Sequence, residues 1–297
     1  MGDTLGMLKE TVKEFSEDKC PQMAAAISYA TVFALPPLLM LLLYLVGLFV
    51  DPQDFRGRIV SETQGMLGAD GARLIGNIIE QAHMPGGGAM AVIGVVMVVI
   101  GATGAFVQLQ DAVNTAWEVK PDPKQGGVKA FIGKRLLSFG MILVIGFLML
   151  VSFVVSALVS ALGDMLRGYL GGSGELIAHI VQIVLGLGIT WVLFALMFKY
   201  LPDAEISWRD VAVGAFVTAL LFTVGRFAIG LYLGHNKSTS AFGAAAALAV
   251  LLIWVYYAAM ILLLGAEFTE AWARRRGGIR PEAGAVRITD GGSPRSA

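Results

Sequence analysis

The chain has 297 residues, of which 56% are hydrophobic and 15% charged, and its 22 basic and 22 acidic side chains balance to a formal charge of zero. With a mean hydropathy of +0.72, a water-soluble fold of this size could not cover its apolar surface, whereas a bilayer leaves the outer face of a helix in no need of polar cover. The one cysteine, Cys20, excludes an intrachain disulfide and a cysteine-based metal cluster, and it reads as a small residue near the membrane surface.

Residues 1–22 place Leu5, Leu8, Val12 and Phe15 on one stripe of a helix, with Lys and Glu between them. Such a segment is too charged to span. It either lies in the membrane interface or packs on the protein's own face. No cleavable signal peptide is expected, because the first apolar run follows this charged stretch and has no small-residue cleavage site behind it.

Six long apolar runs follow, over about 26–50, 88–110, 136–162, 176–200, 211–233 and 242–266. Each is near the ~20 residues that a helix needs to cross the hydrocarbon. Their composition lacks the period of two that barrel strands would show. The expected fold is therefore all-α, a polytopic membrane bundle of about six transmembrane helices. Its parts are a cytoplasmic amphipathic helix (1–22), the transmembrane domain (23–276) and a disordered Gly-, Arg-, Pro- and Ser-rich cytoplasmic tail (277–297). The second run opens with Pro85-Gly86-Gly87-Gly88 and is open to being broken or re-entrant. The first outer loop, about 51–87, is longer than a connector needs and is expected to form one or two short helices over the outer mouth.

Basic residues set the orientation. Sixteen fall on one side: Lys9, Lys13 and Lys19 at the start, five in the loop from Lys120 to Arg135, Lys199 and Arg209, and six arginines from Arg274 to Arg295. Five fall on the other, namely Arg56, Arg58, Arg73, Arg167 and Lys237. With an even number of spans, both termini are cytoplasmic.

Four places carry candidate functional residues. Pro36 and Pro37 remove two backbone donors from the first run, so its helix is expected to kink or unwind, either lining a substrate path or merely shaping the packing. Gln110, Asp111 and Asn114 cluster within a turn at the end of the second run, as a gate or as the membrane boundary marked by Trp117 and Lys120. Arg226 lies inside the fifth run, where a charge costs at least ~2.5–3.5 kcal/mol at mid-bilayer. It either faces the bundle interior as a cationic site or snorkels to the outer headgroups. Glu267 closes the sixth run, as a rim partner for Lys134, Arg135 or Arg274, or as a proton-coupling carboxylate. His83, His179 and His235 show no metal-ligand spacing and read as surface residues.

Several stretches together resemble the YihY/BrkB family of bacterial inner-membrane proteins. They are Ala24-Ala25-Ala26-Ile27-Ser28-Tyr29 leading to Leu35-Pro36-Pro37-Leu38, Gln108 to Trp117, Tyr200-Leu201-Pro202-Asp203 with Trp208, and Trp254-Val255-Tyr256-Tyr257 through Gly265-Ala266-Glu267-Phe268. The resemblance covers roughly residues 5–276. It implies six transmembrane helices and an inner-membrane location, and it points to Pro36, Pro37, Gln110, Asp111, Asn114 and Glu267 as the faces that matter. It implies no settled activity: an early ribonuclease label is regarded as misassigned, and serum resistance, export of small solutes or ions, and lipid movement have been proposed.

Function then divides three ways. A transporter or lipid-translocating protein would use the proline-broken helix, Arg226 and the polar helix ends, with an anionic lipid or a small solute as substrate. A nuclease would need clustered carboxylates or histidines on a domain open to RNA, which the sequence does not offer, so neither nucleic acid nor enzymatic activity is expected. A membrane scaffold or accessory subunit, self-associating or bound to an envelope partner, would use the Gly- and Ala-rich helices for packing. The absence of a GxxxxGK[ST] loop leaves transport passive, ion-coupled or driven by a partner, and no cofactor is implied.

Overall fold

The computed structural model describes residues 2–46, 52–81, 104–121, 133, 140, 172–235, 243–276, 280–281 and 285–288. Seven helical segments carry most of them: α1 (Gly2–Glu17), α2 (Cys20–Val46), α3 (Pro52–Gln81), α4 (104–116), α5 (Gly172–Tyr200), α6 (Trp208–His235) and α7 (Gly243–Arg274). Four short strands join them: β1 (Val119–Pro121), β2 (Ala204–Glu205), β3 (Arg280–Pro281) and β4 (Ala285–Arg287).

Three stretches, Ile183–Tyr200, Trp208–Ile229 and Leu248–Arg274, are long and apolar enough to cross a membrane. Only 17%, 22% and 33% of them, respectively, is buried inside the protein. A soluble core helix this apolar would be covered, so the outward faces, with Val184, Val224 and Ile253 all about 60% exposed, are built for lipid. These spans coincide with the fourth, fifth and sixth apolar runs. The first run lies mostly within α2, while the second and third lie largely outside the described residues.

Helices α6 and α7 approach closely because glycine on each meets threonine on the other. A Cβ added at Gly214 would fall on the Thr269 side chain, and one at Gly265 on Thr218. Both threonine hydroxyls turn back to their own helix, Thr218 Oγ1 donating to Gly214 O and Thr269 Oγ1 to Gly265 O, so neither needs a polar partner across the interface. Helices α5 and α6 pack side by side, and α2 lies along α7, where Ser28 Oγ donates to Leu252 O at 2.8 Å.

At Pro36–Pro37, where a kink or an unwinding is expected, the helix does not unwind but runs continuously from Cys20 to Val46. Two missing donors free only the carbonyls four residues back, those of Val32 and Phe33, and packing along α7 holds the helix across that gap. Segment α3 doubles back on itself. Arg56 Nη2 lies 3.6 Å from Glu80 Oε2, although a straight helix would separate residues 24 apart by ~36 Å. Its inward residues Ile59, Ala72, Ile75 and Ile79 are buried, and Leu74 packs with Val250 and Leu251 near the start of α7.

The opposite end of the bundle gathers α1, the start of α2, the ends of α4, α5 and α7, and all four strands. Its core joins Trp117, Val113, Phe198, Leu201, Val211 and Leu263. The segment from Gly277, expected to be a disordered tail, contributes two strands here. Ala285–Arg287 pairs antiparallel with β1, and Arg280–Pro281 with β2. The ordering is non-local: neither strand has an alternating pattern of its own, and both are extended by pairing with loops far away in sequence. Residues 289–297 lie outside the described residues.

Candidate functional site

Helix α1 docks on the last turns of α7 through Met7, which packs with Phe268 and Ala271. Thr11 is buried beside it, whereas Leu5, Leu8 and Val12 are 62%, 51% and 62% exposed. The helix thus packs on the protein through its Met7/Thr11 face and through Phe15, and turns Leu5, Leu8 and Val12 of its apolar stripe outward. It ends at Glu17, and in the turn that follows Lys19 has a φ of 55°, in the left-handed region that often closes a helix. Pro21 then occupies the first turn of α2, where a missing N–H costs nothing. This tight reversal holds Asp18 and Cys20 against the foot of α7.

There the chain encloses a cavity of about 530 Å³. Glu10, Glu14, Glu17 and Asp18 line it from the α1 side. Glu118 contributes from the end of α4, and Glu267 and Glu270 from α7, with Ala116 as the one apolar residue among the described residues of the lining. Among these residues, seven carboxyl groups face two bases, Lys13 and Arg274. Arg274 Nη2 reaches Glu14 Oε1 at 2.6 Å, Glu10 Oε1 at 3.1 Å and Glu270 Oε2 at 3.3 Å, tying α1 to α7. Lys13 is turned to Glu17, at 3.4 Å.

Glu267 is 1% exposed and Glu270 is 2% exposed. The Cys20 thiol donates to Glu267 Oε1 at 3.3 Å, and the half-buried Asp18 stands beside the same carboxyl. Burial, then the nearby charges of Glu118 and Glu14, push Asp18 up to about 6, against the opposing pull of Glu267. Burial also pushes the Cys20 thiol up, reinforced by the charge of Glu267, which leaves it a proton donor rather than a nucleophile.

A second polar knot lies at the same end. Asn114 Nδ2 donates to Asp203 Oδ2 at 2.9 Å, Asp203 N donates to Asn114 Oδ1 at 2.7 Å, and Gln110 Nε2 donates to Asp203 Oδ1 at 3.3 Å. Gln110 and Asn114 are buried. This knot fastens α4 to the turn after α5 and has the look of a structural clasp.

Of the residues singled out from sequence, Gln110 and Asn114 are thus brought together through Asp203, while Asp111 is exposed on the other face of α4. Glu267 lies in the cavity wall, but Arg274 turns to Glu10, Glu14 and Glu270 instead, and Lys134 and Arg135 are outside the described residues. Pro36 is half-buried in α2, far along the helix from the cavity, and the side chain of Pro37 is outside the described residues. Arg226 does not face the bundle interior. It is exposed on α6, with its guanidinium 6.0 Å from the Phe227 ring centroid, because a long side chain near the end of a helix can carry its charge out along the surface. The sequence reading missed Glu10, Glu14, Asp18, Glu118 and Glu270. The spacing Glu10, Glu14, Glu17 is itself a helical stripe, and Glu270 and Arg274 are a turn apart, but both signals were hidden behind the apolar periodicity.

The family model described as Virulence factor BrkB matches residues 11–288, and the chain belongs to that family. Among curated relatives, a UPF0761 membrane protein of Ralstonia nicotianae is 26% identical, over 89% of this chain and 60% of the relative. One of Alcanivorax borkumensis is 28% identical over 88% and 58%, and one of Mannheimia succiniciproducens is 24% identical over 86% and 85%. The chain therefore spans about three fifths of the length of the first two. No solved structure matches.

Proposed function

We propose that this BrkB-family membrane protein is a transporter coupled to proton movement, with Glu267 and Asp18 as its proton-carrying pair. The reading rests on one observation above all: the Glu267 carboxyl, with the Cys20 thiol upon it and Asp18 beside it, is buried at the foot of an apolar span and borders a polar cavity. Ionisable groups at such a depth are costly and mark ion paths in membrane proteins. The bias of basic residues puts the α1 end, and with it the cavity, on the cytoplasmic side of a bacterial inner membrane. The outward stripe of Leu5, Leu8 and Val12 then lies in the inner leaflet beside the bundle. The observed arrangement, clamped by Arg274, is a closed state.

An anionic-lipid path loses its main support with Arg226 on the surface. The test is proton entry into liposomes holding the purified protein, driven by an imposed membrane potential and read by an enclosed pH dye. Wild type should exceed protein-free vesicles and Glu267→Gln should not. Equal rates for wild type and protein-free vesicles would sink the proposal.

A further inference from the structure

We infer that the cavity between α1 and α7 is a binding site for an aliphatic polyamine, a cation with several ammonium groups spaced along a chain. This names a substrate class for the path proposed above and rests on that reading for transport, though not for binding. The first observation is the imbalance, among the described residues, of seven carboxyl groups against two bases around a volume of about 530 Å³, within the ~300–1,000 Å³ range of small-molecule sites. The second is Glu270. Its side chain is 2% exposed, its Oε2 meets Arg274 at 3.3 Å, and its Oε1 has no partner among the described residues. Glu14 Oε2, also on the cavity wall, is unpartnered in the same way. Buried carboxylate oxygens left without donors ask for a ligand that supplies N–H groups.

The spacing of the acids selects the kind of cation. Among the described residues no group of His, Cys, Asp and Glu is gathered closely enough to hold a metal ion. Carboxyls spread along both walls suit charges spread along a molecule instead. Among the described residues the lining is charged except for Ala116, which offers nothing to a lipid tail, so a free polyamine fits better than the ammonium headgroup of an aminolipid. Arg274 makes the site competitive. Its guanidinium already occupies part of the acid field, and an incoming ammonium at Glu14 and Glu270 would displace it and loosen α1 from α7.

The experiment is calorimetric titration of spermidine into the full chain in nanodiscs of phosphatidylcholine, repeated with phosphatidylethanolamine present and with Mg²⁺ in place of spermidine. Saturable spermidine binding is expected, unaffected by the aminolipid and not displaced by an equal concentration of Mg²⁺. Glu270→Gln should weaken it about tenfold. Glu17→Gln, at the exposed rim where folding is not at stake, should weaken it about threefold. Absence of saturable binding in wild type, displacement by Mg²⁺, competition by the aminolipid, or no weakening in either variant would overturn the inference. Proton flux without spermidine binding would remove this site and leave the transport reading standing, while binding without flux would do the reverse.

Discussion

Arg274 is the residue whose loss should change the protein most visibly. Its guanidinium meets three carboxylates from two helices, with Glu14 at 2.6 Å, Glu10 at 3.1 Å and Glu270 at 3.3 Å. Arg274→Ala would leave Glu270, 2% exposed, without its ion-pair partner and with only the weaker influence of Arg287. Breaking a buried pair in this way costs ~3–5 kcal/mol. The guanidinium is 28% exposed and Glu10 is 37% exposed, so solvent screens the outer contacts, each worth only ~0–1 kcal/mol. Weighing the two gives ~2–4 kcal/mol for the docking of α1, or roughly 30- to 1,000-fold in its opening equilibrium. Hydrogen exchange of the α1 amides in nanodiscs reads this directly, since local opening governs their protection. Arg275→Ala is the control: Arg275 is 33% exposed and bonds Glu10 at 2.8 Å, and its loss should cost less than ~1 kcal/mol. Unchanged α1 protection in Arg274→Ala, or an equal loss in Arg275→Ala, would refute the clamp.

Three further outcomes follow from the geometry. Gly265→Ala should destabilise the α6–α7 contact by ~1–3 kcal/mol in detergent unfolding, and Thr218→Ala in the same chain should recover much of that, because the clash is with the Thr218 side chain. Asp18, raised from 3.8 to about 6 in the folded protein, contributes stability that is complete below pH ~4 and lost as pH rises through 6. Thermal midpoints should therefore fall between pH 4 and 7 in wild type, and Asp18→Asn should flatten that slope; an equal slope in both would dismiss the assignment. Leu8→Trp, on the outward stripe of α1, should be quenched by brominated lipid, and full exposure to an aqueous quencher instead would place α1 off the membrane.

Much of the frame was legible because lipid imposes a simple rule: about 20 apolar residues in a row make a span, and charges mark its ends. The fourth to sixth runs therefore appear as helices within a few residues of their expected limits. The boundary error at α7 is instructive. The helix continues past 266 to Arg274, since Glu267 and Glu270 are held by Cys20, Asp18 and Arg274 and no longer mark an end. At Pro36 and Pro37 the sequence allows a kink or an unwinding, and the helix stays wound where it packs on α7, an effect that composition does not record. Arg226 drew attention as a lone charge in an apolar run, yet whether such a charge points inward depends on helix rotation, which sequence leaves open. The cavity was nearly invisible because its walls come from segments some 250 residues apart and meet only when α1 docks. Of the cavity's acids only Glu267 stands out in the sequence, and its neighbours are Cys20, which reads there as a small residue near the membrane surface, and Asp18, which no motif marks.

The measurement that bears most directly on the proposed function is the initial rate of proton entry into liposomes containing the protein, taken from pH 5 to 8. Wild type is expected to exceed protein-free vesicles, with a pH dependence centred near 6 that Asp18→Asn shifts, and Glu267→Gln is expected to fall to the protein-free rate. A wild-type rate equal to that of empty vesicles, or one untouched by Glu267→Gln, would contradict the role given to the buried carboxyl pair.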